Sequence, residues 1–95
     1  MTYKLEIRTG ALRMFKKLPK DVQSKIATEA QVLKDNPQAG QPMKGKYKRF
    51  RSLHFSYKGS AYRIIYQMMT QTTTIVIRLA GTRENIYRRL EEMNV

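Results

Sequence analysis

His54, the one histidine of the chain, sits in "RSLHFSYKGSAYRIIYQ", four residues before Lys58 and nine before Arg63. Further on, "AGTRENIYRR" adds Arg83 and, one helical turn later, Tyr87. A neutral imidazole can take up a proton near neutral pH, because its unperturbed pKa lies near that range. Guanidinium groups stay protonated, so Arg63 and Arg83 can only hold phosphate or stabilise developing charge. A tyrosine can stack on a base or donate its phenolic proton. Such a set suffices to cleave RNA without a metal. A base removes the ribose 2′-hydroxyl proton, cations stabilise the doubly charged phosphorane, and an acid protonates the departing 5′-oxygen. Each residue also has a purely structural reading: His54 as a hydrogen-bonded surface group, Arg63 as a stem lying along the core, Tyr87 as helix packing.

Other chemistries lack their residues. Without cysteine there is neither thiol catalysis nor a disulfide framework, and one histidine leaves little material for a transition-metal site. The seven acids are scattered, which provides no paired-carboxylate or two-metal constellation. No glycine-rich phosphate loop is present, and although Ser52 and Ser56 share the His54 face of a strand, no acid stands nearby to orient the imidazole. No cofactor is expected.

Charge narrows the partner. Nineteen lysines and arginines oppose the seven acids, and between Asp35 and Glu84 there is no acid at all. Lys44, Lys46, Lys48, Arg49, Arg51 and Arg78 lie in that interval and are the expected RNA-binding cations, with contacts that weaken as salt rises. A generally basic, well-solvated surface is the plainer alternative. No apolar run reaches membrane-spanning length, and a soluble cytoplasmic protein without a membrane partner is expected.

The elements that must position these groups follow from periodicity. Tyr3, Leu5 and Ile7 alternate with charged residues, predicting a strand over 3–8. Thr9 is placed to cap a short helix bearing Leu12, Phe15 and Leu18, with Met14 filling gaps in the same seam. Val22, Ile26, Ala30 and Leu33 predict a second helix ending near Asp35, before Pro37. An irregular connector, "NPQAGQPMKGKYK", leads to a strand on which Leu53, Phe55 and Tyr57 alternate with His54 and Ser56, so that His54 and Lys58 should point the same way. "KGSA" turns into "YRIIYQMM", "TQTT" turns again into "TIVIRLAG", and a terminal helix follows. The expected architecture is one α+β domain over 1–95, a strand and helical hairpin packed on a mainly antiparallel sheet of about four strands, with a short C-terminal helix.

The order "F-KKLPKDVQ-KI … NP … MKGKYKRFRS-L … YRIIYQ … IVIRLAGTRENIYRRL" resembles the RelE/ParE superfamily of toxins from type II toxin–antitoxin modules, over nearly the whole chain. The resemblance implies a toxin with an active site on the concave polar side of the sheet. RelE-type members cleave messenger RNA in the ribosomal A site, which implies endoribonuclease activity here, with the 70S ribosome, its mRNA and a cognate antitoxin as partners. Residue by residue, the family's functional positions fall on Arg63, Arg83, Tyr87 and Lys58.

Two departures stand out. Where RelE carries two lysines on the strand before the hairpin turn, this chain has His54 and Ser56, so the usual lysine base is missing and the role of base is open between His54, Lys58 and another residue. The segment between Arg83 and Tyr87 is also about two residues shorter than in RelE. The ParE branch keeps the fold and poisons DNA gyrase without this nuclease set. A gyrase inhibitor, or a nucleic-acid-binding protein of the same fold without catalysis, is therefore the alternative.

Overall fold

The computed structural model describes residues 2–93. Its elements are β1 (Lys4–Ile7), α1 (Thr9–Lys16), α2 (Lys20–Asp35), β2 (Gln41–Pro42), a single 3₁₀ turn at Gly45–Tyr47, β3 (Arg51–Tyr57), β4 (Ser60–Met69), β5 (Thr74–Thr82) and α3 (Arg83–Glu92). The α+β class and the helical hairpin agree with the periodicity. The sheet has five strands rather than four, in the order β1-β5-β4-β3-β2, and β1 runs parallel to β5 while the other pairs are antiparallel. The added strand is the two-residue β2, whose Pro42 is tolerated because it lies at the sheet edge.

Alternation divides the sheet into two faces. Tyr62, Ile64, Tyr66, Ile75, Ile77 and Ala80 face α1 and α2, where Ala11, Val22, Ile26, Ala30 and Leu33 complete the larger core. Each large aliphatic side chain buried there contributes about 1.5–3 kcal/mol relative to exposure. The opposite face buries Ile65 and Leu79 with Phe50 beneath Ile86 and Leu90 of α3. α3 packs over Ile65 and Leu79 on this face, on which His54 and Met69 stay exposed.

Three local expectations are corrected. Arg8, not Thr9, is the extended residue before α1, and no side chain caps that helix. Thr9 is already helical, so its hydroxyl is one position too late. Met14 packs with the α3 cluster rather than the hairpin seam, its Cε lying 3.4 Å from where a side chain on Gly81 would begin. Lys58 leaves the His54 face, for a reason found in the turn. Tyr57 pairs with Ser60, and the two intervening residues, Lys58 and Gly59, have φ of 51° and 79°. This is the twist of a two-residue hairpin turn, and strand alternation stops where it begins.

The connector is tied to the sheet by polar contacts. The Tyr66 hydroxyl accepts from the Gly40 amide at 2.9 Å and donates to the Pro37 carbonyl at 2.7 Å. Arg51 donates to the carbonyl oxygens of Gly40, at 2.7 and 3.1 Å, and of Gln38 at 3.2 Å. Thus the loop with two prolines is ordered through backbone groups that would otherwise lack partners.

Candidate active site

The hairpin register decides which polar groups meet. Because Tyr57 pairs with Ser60, His54 pairs directly with Arg63, and Arg63 pairs on its other side with Gly81 of β5. Directly opposed residues hold their Cβ atoms about 4.5–5.5 Å apart on one face. His54 and Arg63 are therefore immediate neighbours, on the face that α3 partly covers. Gly81 places no side chain against Arg63.

The other members arrive from α3. The Thr82 hydroxyl accepts a hydrogen bond from the Asn85 amide at 3.4 Å, which caps the helix and fixes its start directly after β5. Arg83 is then the first helical residue, and Tyr87 lies one turn on, on the same side. Tyr87 is 48% exposed. Its ring lies against the Arg63 guanidinium, with 4.8 Å from the guanidinium carbon to the ring centroid, and its hydroxyl accepts a hydrogen bond from Arg63. Arg83 is exposed and contacts the Glu84 carboxylate at 3.7 Å.

His54 is exposed, and among the described residues no side chain hydrogen-bonds its ring. Burial, and then the positive charge of Arg63, lower its pKa from the ordinary 6.5. Both causes disfavour imidazolium, so the ring is neutral at pH 7 with a lone pair free. Ser56 is exposed on the same face, whereas Ser52 is buried and its Oγ has no hydrogen-bond partner among the described residues.

Lys58 is not brought to this group. Its Nζ lies 2.6 Å from Asp21 of α2, and the Tyr57 hydroxyl donates to the same carboxylate oxygen at 3.1 Å. The Lys58–Asp21 hydrogen bond is the main reason the carboxyl lies below, and the ammonium above, its ordinary value. Of the cations expected to bind RNA, Lys44, Lys46, Lys48 and Arg49 are exposed along the connector. Arg51 spends its donors on backbone carbonyls, and Arg78 is half-buried beside Gln67. Arg8, absent from the sequence-derived set, directly follows β1, and its amide donates to the Ile77 carbonyl, the residue before Arg78. Only the β1–β5 pairing brings them together. Among the described residues, no three His, Cys, Asp or Glu side chains are grouped to hold a metal ion.

A family model described as the ParE-like toxin of type II bacterial toxin–antitoxin systems matches residues 5–91. The chain belongs to that family. Solved structures agree with this ParE-like toxin in fold. The toxin–antitoxin complex RelBE2 from Mycobacterium tuberculosis contains a chain 26% identical, with a TM-score of 0.75, matching 87% of this chain and all of that one. An E. coli RelE variant, solved in the free state, superposes with a TM-score of 0.75 at 16% identity, over 99% of this chain and all of its own. The archaeal RelE–RelB complex from Pyrococcus horikoshii reaches a TM-score of 0.57 at 21% identity, over 87% and 97% of the two chains. No curated protein matches the sequence significantly. The ParE-like toxin thus has the RelE/ParE fold, and among its described residues no helix is long and apolar enough to cross a membrane.

Proposed function

We propose that this ParE-like toxin is a ribosome-dependent endoribonuclease that cuts messenger RNA in the A site. The observation carrying this reading is the convergence of His54 and Tyr87 on Arg63, one from the paired strand and one from the capped helix. His54, held neutral, takes the 2′-hydroxyl proton as that oxygen attacks the adjacent phosphorus. Arg63 and Arg83 balance the charge that accumulates on the phosphorane oxygens. The bond from phosphorus to the 5′-oxygen then breaks, and the leaving oxygen takes the Tyr87 hydroxyl proton. Because that hydroxyl accepts its hydrogen bond from Arg63, its own proton is free to be given. The products are a 2′,3′-cyclic phosphate and a 5′-hydroxyl. The partner is an antitoxin whose acidic side chains meet the basic interval from Lys44 to Arg83 and whose apolar residues supply specific affinity.

The test is Arg83→Ala at an exposed position, where the variant is expected to fold as the wild type does. The variant is expected to lose growth arrest and A-site cleavage in cells. Unchanged arrest would exclude this site.

The family model favours a second reading, since its name is that of the ParE-like toxins. A gyrase inhibitor built on this fold would stay toxic without Arg63, Arg83 or Tyr87 and would cause DNA damage. Measuring A-site cleavage alongside gyrase inhibition after brief induction separates the two.

A further inference from the structure

Beyond α3, at the end of the sheet face away from His54, a second group of cations converges. Register shifts between Ile65 and Tyr66, which pair with Leu79 and Ile77, so Arg78 is the extra residue of a bulge in β5. Bulges re-aim side chains, and here the result is an arginine turned along the sheet surface. The guanidinium carbons of Arg78 and Arg49 lie 5.3 and 5.4 Å from the centroid of the same ring, that of Phe50. Arg8 follows β1, its amide donating to the Ile77 carbonyl at 3.0 Å, which sets it beside Arg78 across the parallel ladder. Gln67 Oε1 accepts from Arg78 at 3.1 Å and fixes its head.

None of the three arginines has a carboxylate partner among the described ion pairs. Three like charges gathered with no carboxylate among them repel one another; burial, and then the charges of Arg8 and Arg49, hold the Arg78 guanidinium below its ordinary value. An anion seated among the three would relieve it.

We propose that Arg8, Arg49 and Arg78 form a phosphate-binding site for the backbone of an RNA strand, distinct from the Arg63 site. Guanidinium forks match phosphate oxygens two at a time. From Arg49 the exposed Lys48, Lys46 and Lys44 continue the positive track along the connector, as a polymer of phosphates requires. Phe50 is fully buried and offers no surface to a base, so the site reads backbone and not sequence. Glu6 is the one acid lining the adjoining cleft, together with Lys4 and Arg8.

The site can be tested without any cleavage, so its failure and that of the proposed nuclease are separable. The probe is a labelled 2′-O-methyl RNA strand, which has no 2′-hydroxyl to attack, followed by anisotropy from about 50 to 200 mM salt. Arg8→Gln with Arg49→Gln is expected to shallow the slope of log K against log salt by about 1.4, and Arg8→Gln alone by about 0.7. Lys16→Gln with Lys20→Gln, removing equal charge from exposed positions on the helical hairpin, should leave the slope unchanged. An unchanged slope in the arginine variants, or an equal loss in the lysine control, overturns the site. So does an equal weakening of poly-glutamate binding by the arginine pair, which would mark the cluster as a surface for acidic protein.

Discussion

Arg63 grips Tyr87 twice, stacking its guanidinium 4.8 Å from the ring centroid and donating a hydrogen bond to the hydroxyl. These contacts couple β4 to α3, so the helix cannot move without freeing the arginine. In the proposed reaction the same contacts keep phosphate ligand and proton donor in one fixed relation, which lowers the entropy cost of assembling both around a scissile bond.

Replacing Arg63 by alanine should therefore cost about 10²–10³ in A-site cleavage, the range for removing one preorganised donor to a transition state. Arg63→Lys should rescue little, since a point charge does not reproduce the fork or the stacking. Lys58→Ala is the contrasting control: its ammonium is occupied by Asp21 on the helical side, and cleavage should stay near wild type. A severe loss in Lys58→Ala would place the reaction elsewhere.

The pH profile tests His54. Its pKa is held below 6.5 by burial and by Arg63, so the neutral base persists through pH 7 and cleavage should fall only on the acid side of 6.5. His54→Gln should lose that acid limb together with most of the rate. Folding stability shifts in the same direction: the unfolded chain binds the proton more readily, so His54 destabilises the fold as pH drops through 6.5, with no further loss below its native pKa. Urea melts at pH 5 and 7.5 on wild type and His54→Gln measure the difference.

Tyr87→Phe separates proton donation from stacking. The ring remains against Arg63 while the hydroxyl is gone, and a fall of about 10²–10⁴ in cleavage is expected if the phenol is the acid. Single-turnover rates on programmed ribosomes would reveal it. Wild-type rates in the Phe variant, with loss only in Tyr87→Ala, would leave Tyr87 as a platform alone.

Gly40→Ala is expected to destabilise the fold by about 1–3 kcal/mol through overpacking. A Cβ there would lie 2.7 Å from the Tyr66 hydroxyl and 2.9 Å from the Ser52 carbonyl oxygen, both held in place. The readout is the thermal midpoint. An unchanged midpoint would mean that the connector relaxes freely, against the hydrogen bonds of Tyr66 and Arg51 that tie it down.

Much of this arrangement was legible before any coordinates. Once a two-residue turn at Lys58–Gly59 is accepted, strand counting alone sets His54 opposite Arg63. The periodicity of α2 was equally plain, because Val22, Ile26, Ala30 and Leu33 form one unbroken stripe. What stayed hidden depends on contacts distant in sequence. Nothing in "KLEI" says that it runs parallel to β5, and without that pairing Arg8 and Arg78 are seventy positions apart with no reason to meet. β2 escaped notice because two residues carry no period, and Lys58 was misdirected because alternation holds only while φ stays negative.

The parallel union of β1 with β5 also bears on when the protein becomes dangerous during its own synthesis. The first strand made must wait for the last, since until Thr74–Thr82 has emerged nothing joins β1 to the β3–β4 hairpin, and neither Arg83 nor Tyr87 yet exists. A chain that stops before Thr74 pairs only β2, β3 and β4, three of the five strands, and carries two of the four groups at the candidate site.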